Sequence, residues 1–306
     1  MCVERPIEGF MFRHQDHSLW VIKGCYHPEG GLIAIPRFLY GGLKYKKLSD
    51  VNALILRYYR HYVKSLYELG REVPLVPFRD IAVIINPLDV VEALKKSSNK
   101  EIIKSALELL SIIAEGCGCI AGFSGSLAGG YFTNHSDIDL VIYSNTLKCY
   151  ELLSRLRYEG VLKPLSYEQA YSELLEIHDG IDLRFVNLMR KRVLQGVFKG
   201  FKYTVRLVRC EGPIILKDYM KLSNVMLLVI ISDITCSYTT PAYYVSKVVS
   251  SNTYYVKVGS EVILMTHRIR FTELSPGSLL LIHAPIYVMS GHSLVNLDIA
   301  TVRIIS

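Results

Sequence analysis

The 306-residue chain predicts a mixed α+β or α/β protein: a sheet with flanking helices at its centre, a β-rich region before it and a small β-barrel or sandwich after it. Three observations carry this. Helix-type and strand-type periods alternate between residues 87 and 209. Short runs rich in Val, Ile, Tyr and Thr, separated by turn signals, fill residues 210–306. Similar runs occupy residues 10–40. The expected domains are 1–86, 87–209 and 210–306, in keeping with roughly 100–200 residues per domain. With 50% hydrophobic and 21% charged residues, the composition suits a packed core and excludes disorder.

In chain order, Phe10–Phe12 and Leu19–Lys23 read as strands around a polar turn, and the Gly30-Gly31 pair precedes a third run carrying Pro36. Ser49 and Asp50 suggest a helix cap. Leu54, Tyr58, Tyr62 and Leu66 then recur every four positions, so a helix is expected to continue to about Gly70, with a loop at Pro74 and Pro77. Helices are expected over Leu88–Lys96, Glu101–Glu115 and Leu147–Tyr158, and a helical stretch over Glu168–Ile177. Strands are expected over Cys119–Phe123, Asp137–Tyr143 and Ile181–Val186. The longest apolar stretch, Val225–Ile231, is far below the ~20 residues of a membrane helix. Without a signal-like N-terminus either, a cytoplasmic protein with no membrane partner is expected. The seven cysteines lack C-x-x-C pairs, and Cys117 and Cys119 have no second pair to complete a zinc site, so reduced core thiols are expected.

The formal net charge of +7 is unevenly spread. Eight basic residues between Arg184 and Arg209, with no acid among them, would attract a triphosphate or a nucleic-acid backbone; an ordinary solvated face is the alternative.

The chemistry concentrates in Gly122–Tyr143. Asp137 and Asp139 stand two apart at the start of a strand, so both carboxylates point to one side while Ile138 and Leu140 turn to the core. Two converging carboxylates call for a hard cation such as Mg²⁺, with phosphate oxygens as further ligands. Gly125-Ser126 closes a strand and opens a short helix, where a bare backbone and free N–H groups suit a phosphate. Asp182, between Ile181 and Leu183 on another expected strand, would complete three carboxylates for a two-metal site. Asp179, before Gly180, competes for that role but has the setting of a turn. Arg184, two residues after Asp182, would share its strand face and contact a phosphate or pair with the aspartates.

Gly125-Ser126, ten intervening residues and Asp137-Ile138-Asp139 resemble the signature of the DNA polymerase β-type nucleotidyltransferase superfamily, with Asp182 as the later acid. The resemblance spans roughly residues 100–190. More widely, the chain resembles a family of uncharacterised archaeal predicted nucleotidyltransferases. That likeness lies in Lys23-Gly24, His27-Pro28, Ile33-Ala34-Ile35-Pro36-Arg37, Tyr45-Lys46-Lys47 and Thr240-Pro241-Ala242 followed by Tyr244. The resemblance implies a nucleotidyltransferase-type mixed sheet and Mg²⁺-dependent transfer of an NMP group from a nucleoside triphosphate such as ATP to a hydroxyl, releasing pyrophosphate. Asp137 and Asp139 would bind two Mg²⁺ ions, replaceable by Mn²⁺. Asp182 would bind the catalytic ion and help deprotonate the acceptor, and Gly125 and Ser126 would hold the β- and γ-phosphates.

RNA is the favoured acceptor, from the basic stretch and a β-rich C-terminal part that would suit an oligonucleotide-binding barrel. Lys23, His27, Arg37, Tyr45, Lys46 and Lys47 are candidates for an acceptor surface or a merely basic rim. His135 reads as a loop residue and Trp20 as core. A P-loop is excluded because no Gly-Lys-Ser/Thr follows Gly129-Gly130, and a nucleophile elbow because Ser124 lacks its second glycine. The alternative function is non-catalytic: a nucleic-acid-binding or regulatory protein on the same fold. Asp139→Asn is expected to abolish transfer with little loss of stability, because it removes a metal ligand at a solvent-facing position. The acceptor, the base and the oligomeric state are not encoded in these motifs.

Overall fold

Apolar residues at alternate positions of the N-terminal strands turn to one face, and aromatic side chains fill it. The computed structural model describes residues 5–66, 69, 71–97, 100–177, 182–210, 219–289 and 292–305. Strands β1 (Met11–His14), β2 (Leu19–Ile22), β3 (Gly31–Phe38), β4 (Val63–Leu66), β5 (Arg71–Pro77) and β6 (Ile81–Ile85) form one sheet in the order β4-β5-β3-β2-β1-β6. Helix α1 (Leu48–Tyr58) packs on it, and Phe10, Phe12, Trp20, Ile22, Leu54, Tyr59 and Tyr62 share its core. The expected β-hairpin at residues 10–23 is present, but the helix ends at Tyr58 rather than near Gly70. Tyr59 and Tyr62 turn inward instead: the Tyr59 hydroxyl donates to Asp16 Oδ2 at 2.6 Å and the Tyr62 hydroxyl to Asp80 Oδ2 at 2.9 Å. Beyond them the chain runs as strands, so Pro74 and Pro77 lie in β5 rather than in a loop.

Helices α2 (Pro87–Lys96) and α3 (Glu101–Cys117) follow, the first capped by the Asn86 side chain and the second ended by Gly118 in the left-handed region. Then come β7 (Ala121–Phe123), α4 (Gly125–Gly129), β8 (Ile138–Ile142), α5 (Thr146–Tyr158), α6 (Tyr167–Ile177), α7 (Leu183–Lys191), β9 (Gln195–Phe198) and β10 (Phe201–Val208). Strand β8 is central: β7 pairs with it antiparallel and β10 parallel, while β9 pairs antiparallel with β10. Ile138, Leu140, Val141 and Ile142 are buried. The strand expected over Ile181–Val186 does not form. Residues 183–191 are helical, and Phe185, Val186 and Met189 bury one helix face. Asp179 and Ile181 lie outside the described residues.

The chain divides into two compact units, the first made of residues 1–65, 72–181 and 189–212, the second of residues 66–71, 182–188 and 213–306. In the second unit, β11 (Met220–Cys236), β12 (Thr239–Thr240), β13 (Ala242–Ser251), β14 (Glu261–Thr266), β15 (Leu279–Met289), β16 (His292–Asn296) and β17 (Thr301–Ile304) follow one another. The order β11-β13-β14-β16-β15 closes into a barrel through β11–β15 pairing, and β14 and β16 run parallel. Val225, Leu227, Val229 and Ile231 alternate into its core with Leu280, Ile282 and Ile286. Residues Tyr254–Val258, one of the short β-type runs within 210–306, form no strand and connect β13 to β14. Among the described residues no helix is long and apolar enough to cross a membrane.

The expectation of reduced thiols is corrected. Cys25 bonds to Cys210 and Cys117 to Cys149. Helix packing brings α3 against α5, a juxtaposition that linear cysteine spacing does not reveal. Among the described cysteines, Cys119 is free.

Gly122 sits so close to α2 that a Cβ there would lie 2.4 Å from the Pro87 carbonyl carbon and oxygen. Backbone cannot swing aside as a side chain would, so Gly122→Ala should destabilise by about 1–3 kcal/mol. Urea unfolding should show a lower midpoint with an unchanged slope; an unchanged midpoint contradicts this packing.

Candidate active site

The glycine turn and the aspartate strand meet at one point. Ser124 continues β7 and donates its backbone N–H to the Asp139 carbonyl at 2.9 Å, while its hydroxyl donates to the Gly9 carbonyl at 2.8 Å. Gly125 then adopts φ +62°, and a Cβ at this position would lie 1.9 Å from Asp139 Oδ2. Only glycine permits both that backbone angle and the carboxylate's position. Helix α4 ends after one turn at Gly130. Ser126 is buried, at 4% exposure, so its hydroxyl is not offered to solvent.

Asp137 and Asp139 flank buried Ile138, as the period of two requires. Asp139 is half-buried rather than freely solvent-facing. Burial, followed by the charge of Asp137, raises its pKa above the ordinary 3.8; Lys44, Arg37 and Arg206 oppose that rise. On the parallel neighbour β10, Thr204 stands opposite Asp139. Tyr203, Val205 and Leu207 are buried, so Lys202, Thr204 and Arg206 share the other face of the strand. The Lys202 ammonium bridges Asp137 Oδ1 and Glu173 Oε2, each at 3.1 Å. Burial works against that charge, but Glu173 and Asp137 more than offset it and raise the Lys202 pKa.

Strand β3 and the loop after it supply further cations. Burial depresses the pKa of Arg37, opposed chiefly by Asp139, and its Nη1 donates to the Tyr45 carbonyl at 2.7 Å. Lys44 is exposed as a residue, yet partial desolvation lowers its pKa, as do the charges of Arg37 and Lys46. Lys46 pairs with Glu176 of α6. Beside Asp137 opens a cleft of about 390 Å³, lined by Asn134, His135, Ser136, Gln169, Ser172 and Phe201 among others.

Other expected residues fall elsewhere. Asp182 precedes α7, and its Oδ1 accepts the Arg184 backbone N–H at 3.0 Å, the bond of a helix cap. It is therefore not a strand-borne partner of Asp139, and Arg184 does not share a strand face with it. Instead the Arg184 guanidinium donates to the Ile304 carbonyl. Lys23 is held 3.1 Å from Glu8, itself 1% exposed, and His27 is half-buried with its pKa lowered to about 4, chiefly by burial. The basic run of 184–209 is not one solvated face either: Lys199 pairs with Glu108, Lys202 with Asp137 and Glu173, and Arg206 with Glu8. Lys44, Glu8 and Glu173 escaped the sequence reading. Glu173 and Glu176, three apart on one helix face, were the available signal.

Asp137 and Asp139 suit one divalent cation shared with phosphate oxygens. The raised Asp139 pKa marks a carboxyl whose ionised form lacks full compensation, which such a cation would supply. Among the described residues no three carboxylate or histidine ligands gather closely enough to form a complete protein cage. Compared with family models, curated proteins and solved structures, the chain has no significant match.

Asp139→Asn should raise the stability of the cation-free protein at neutral pH. Because the folded carboxyl's pKa is raised, stability present below the unfolded value of 3.8 declines as pH rises through the folded value. Asparagine escapes that loss, so the variant's advantage should fade as pH falls towards 3.8. Equal urea midpoints of wild type and variant at neutral pH would contradict the burial of this charge.

Proposed function

We propose that the first unit binds a nucleoside triphosphate and transfers its nucleotidyl group to a hydroxyl acceptor. The observation that carries this reading is the contact of the Gly125 turn with the Asp139 carboxylate, which puts a phosphate-type backbone turn and two converging carboxylates in one place. Asp137 and Asp139 would hold Mg²⁺, or Mn²⁺ in its stead. The bound ion supplies neutralisation of phosphate charge.

The chain's own residues do the rest. Arg37, Lys44 and Arg206, already coupled electrostatically to Asp139, would neutralise the triphosphate in a half-buried site. The cleft beside Asp137, with amides and hydroxyls around Phe201, has room for the base or the acceptor. The acceptor oxygen bonds to the α-phosphorus as the bond to pyrophosphate breaks, and the acceptor proton passes to a base. Asp182 is not carried into this site, because the strand that gave it a role does not form. With it goes the third carboxylate of a two-ion arrangement, and the proposal keeps one cation. RNA remains the favoured acceptor class, supported at fold level by the closed five-stranded barrel of the second unit, an architecture shared with oligonucleotide-binding domains.

A second reading has its own observation. Thr204 stands opposite Asp139 on the neighbouring strand, and Lys202 already neutralises Asp137. Both suit a protein that binds a nucleotide or nucleic acid without transferring a group.

Incubation with each α-labelled NTP, Mg²⁺ or Mn²⁺, and total RNA, a metabolite pool or the protein itself separates the two. Transfer should fall on the order of a hundredfold or more in Asp137→Asn and stay within about twofold in Asp182→Asn. Triphosphate or salt-sensitive RNA binding with no transfer in any mixture selects the second reading. Transfer that survives Asp137→Ala with Asp139→Ala removes this site from the chemistry.

A further inference from the structure

We propose that Cys117, Cys119 and Cys149, when reduced, form a three-thiolate site for a soft divalent cation such as Zn²⁺. This does not depend on the reading of the Asp137 and Asp139 site. Their three sulfur atoms lie within 4.8 Å of one another, and among the described residues no other three His, Cys, Asp or Glu ligands do. A tetrahedral zinc centre with Zn–S bonds of about 2.3 Å needs sulfur–sulfur separations of roughly 3.8 Å. Shifts of about an ångström would therefore suffice. The sulfurs come from three segments: the last residue of α3, the loop entering β7 and the first turn of α5.

The backbone around them is fixed independently of the sulfurs. Gly118, left-handed at φ +62°, turns the chain between Cys117 and Cys119. Asn145 Nδ2 donates to the carbonyls of Cys117 at 3.1 Å and Gly118 at 2.7 Å, clamping the end of α3 to the start of α5. The Cys149 backbone N–H donates to the Asn145 carbonyl at 3.0 Å. Cys117 and Cys149 are buried and Cys119 is half-buried, so a bound ion would be shielded from competing ligands. Thiolate ligands favour zinc and other soft ions over Mg²⁺.

In this structure Cys117 and Cys149 are joined. A thiol or phosphine reductant supplies two electrons, and two protons complete the two thiols. Binding of Zn²⁺ by all three cysteines then releases three protons. Oxidation of the same pair removes two of the three ligands, so the disulfide and the metal exclude each other, and cation binding reports the redox state of this corner of the sheet.

The test uses the full chain, reduced with a phosphine, stripped with a chelator and titrated without oxygen, first with Co²⁺ and then with Zn²⁺. The reduced protein should develop a sulfur-to-cobalt charge-transfer band that saturates at one equivalent and is bleached by Zn²⁺. Alkylation mapped by mass spectrometry should show Cys117, Cys119 and Cys149 protected by Zn²⁺ while Cys236 is labelled. Cys119→Ser, which leaves the Cys117–Cys149 pair intact and so tests the site without loss of the fold, should weaken Zn²⁺ binding at least tenfold. The oxidised wild type should bind none at these residues. The proposal is overturned if the reduced protein shows no charge-transfer band, if Cys119→Ser binds Zn²⁺ as tightly as wild type, or if protection maps to Cys25, Cys210 or Cys236 instead.

Discussion

A carboxylate withdrawn from water needs compensation, and the arrangement around Asp139 follows from that need. Its oxygen rests against Gly125, where any side chain would collide with it. Burial raises the pKa of Asp139, and the like charge of Asp137, two residues away, raises it further. The molecule answers with Arg37 from β3, Lys44 from the loop between β3 and α1, and Arg206 from β10. Lys202 serves Asp137 in the same way and binds Glu173 as well. Acids and bases thus interlock so that neither set stands alone.

The scaffold makes this possible by merging the N-terminal strands with the central sheet in one compact unit. Ser124 bonds to Gly9, Glu8 reaches Lys23 and Arg206, and Phe38 stacks on Tyr131 with centroids 5.0 Å apart. These contacts hold β3, with Arg37 at its end, beside the strand that carries the aspartates. Lysine and arginine lose much rotamer freedom when ordered, so a cationic set on loops alone would cost more to assemble than one seated on strands.

Local pattern showed part of this and hid the rest. Asp137-Ile-Asp139 after Gly125-Ser126 was readable because strand alternation and a glycine turn are encoded within a few residues. Asp182 misled because Ile-Asp-Leu-Arg-Phe-Val satisfies a period of two over a short window, whereas the helix face formed by Phe185, Val186 and Met189 emerges only over a longer one. The capping aspartate before Leu183 was the sign that favoured a helix. The cation shell was invisible because Lys44 and Asp139 are separated by about a hundred residues, and no periodicity links them. The cysteine cluster was half visible: Cys117 and Cys119 are neighbours in sequence, but Cys149 joins them only through the packing of α3 on α5. In the C-terminal region, alternation and turn spacing announced a barrel or sandwich, and the β11–β15 pairing decided for the barrel.

The most direct measurement of the central claim is carboxyl ¹³C NMR of Asp137 and Asp139, titrated with and without Mg²⁺ and a non-hydrolysable triphosphate. Without ligand, Asp139 should titrate above the ordinary 3.8; with both components present its midpoint should fall well below that value, and neither component alone should produce the full shift. An Asp139 titration unmoved by the pair, or moved equally in the Gly125→Ala variant, would contradict the account.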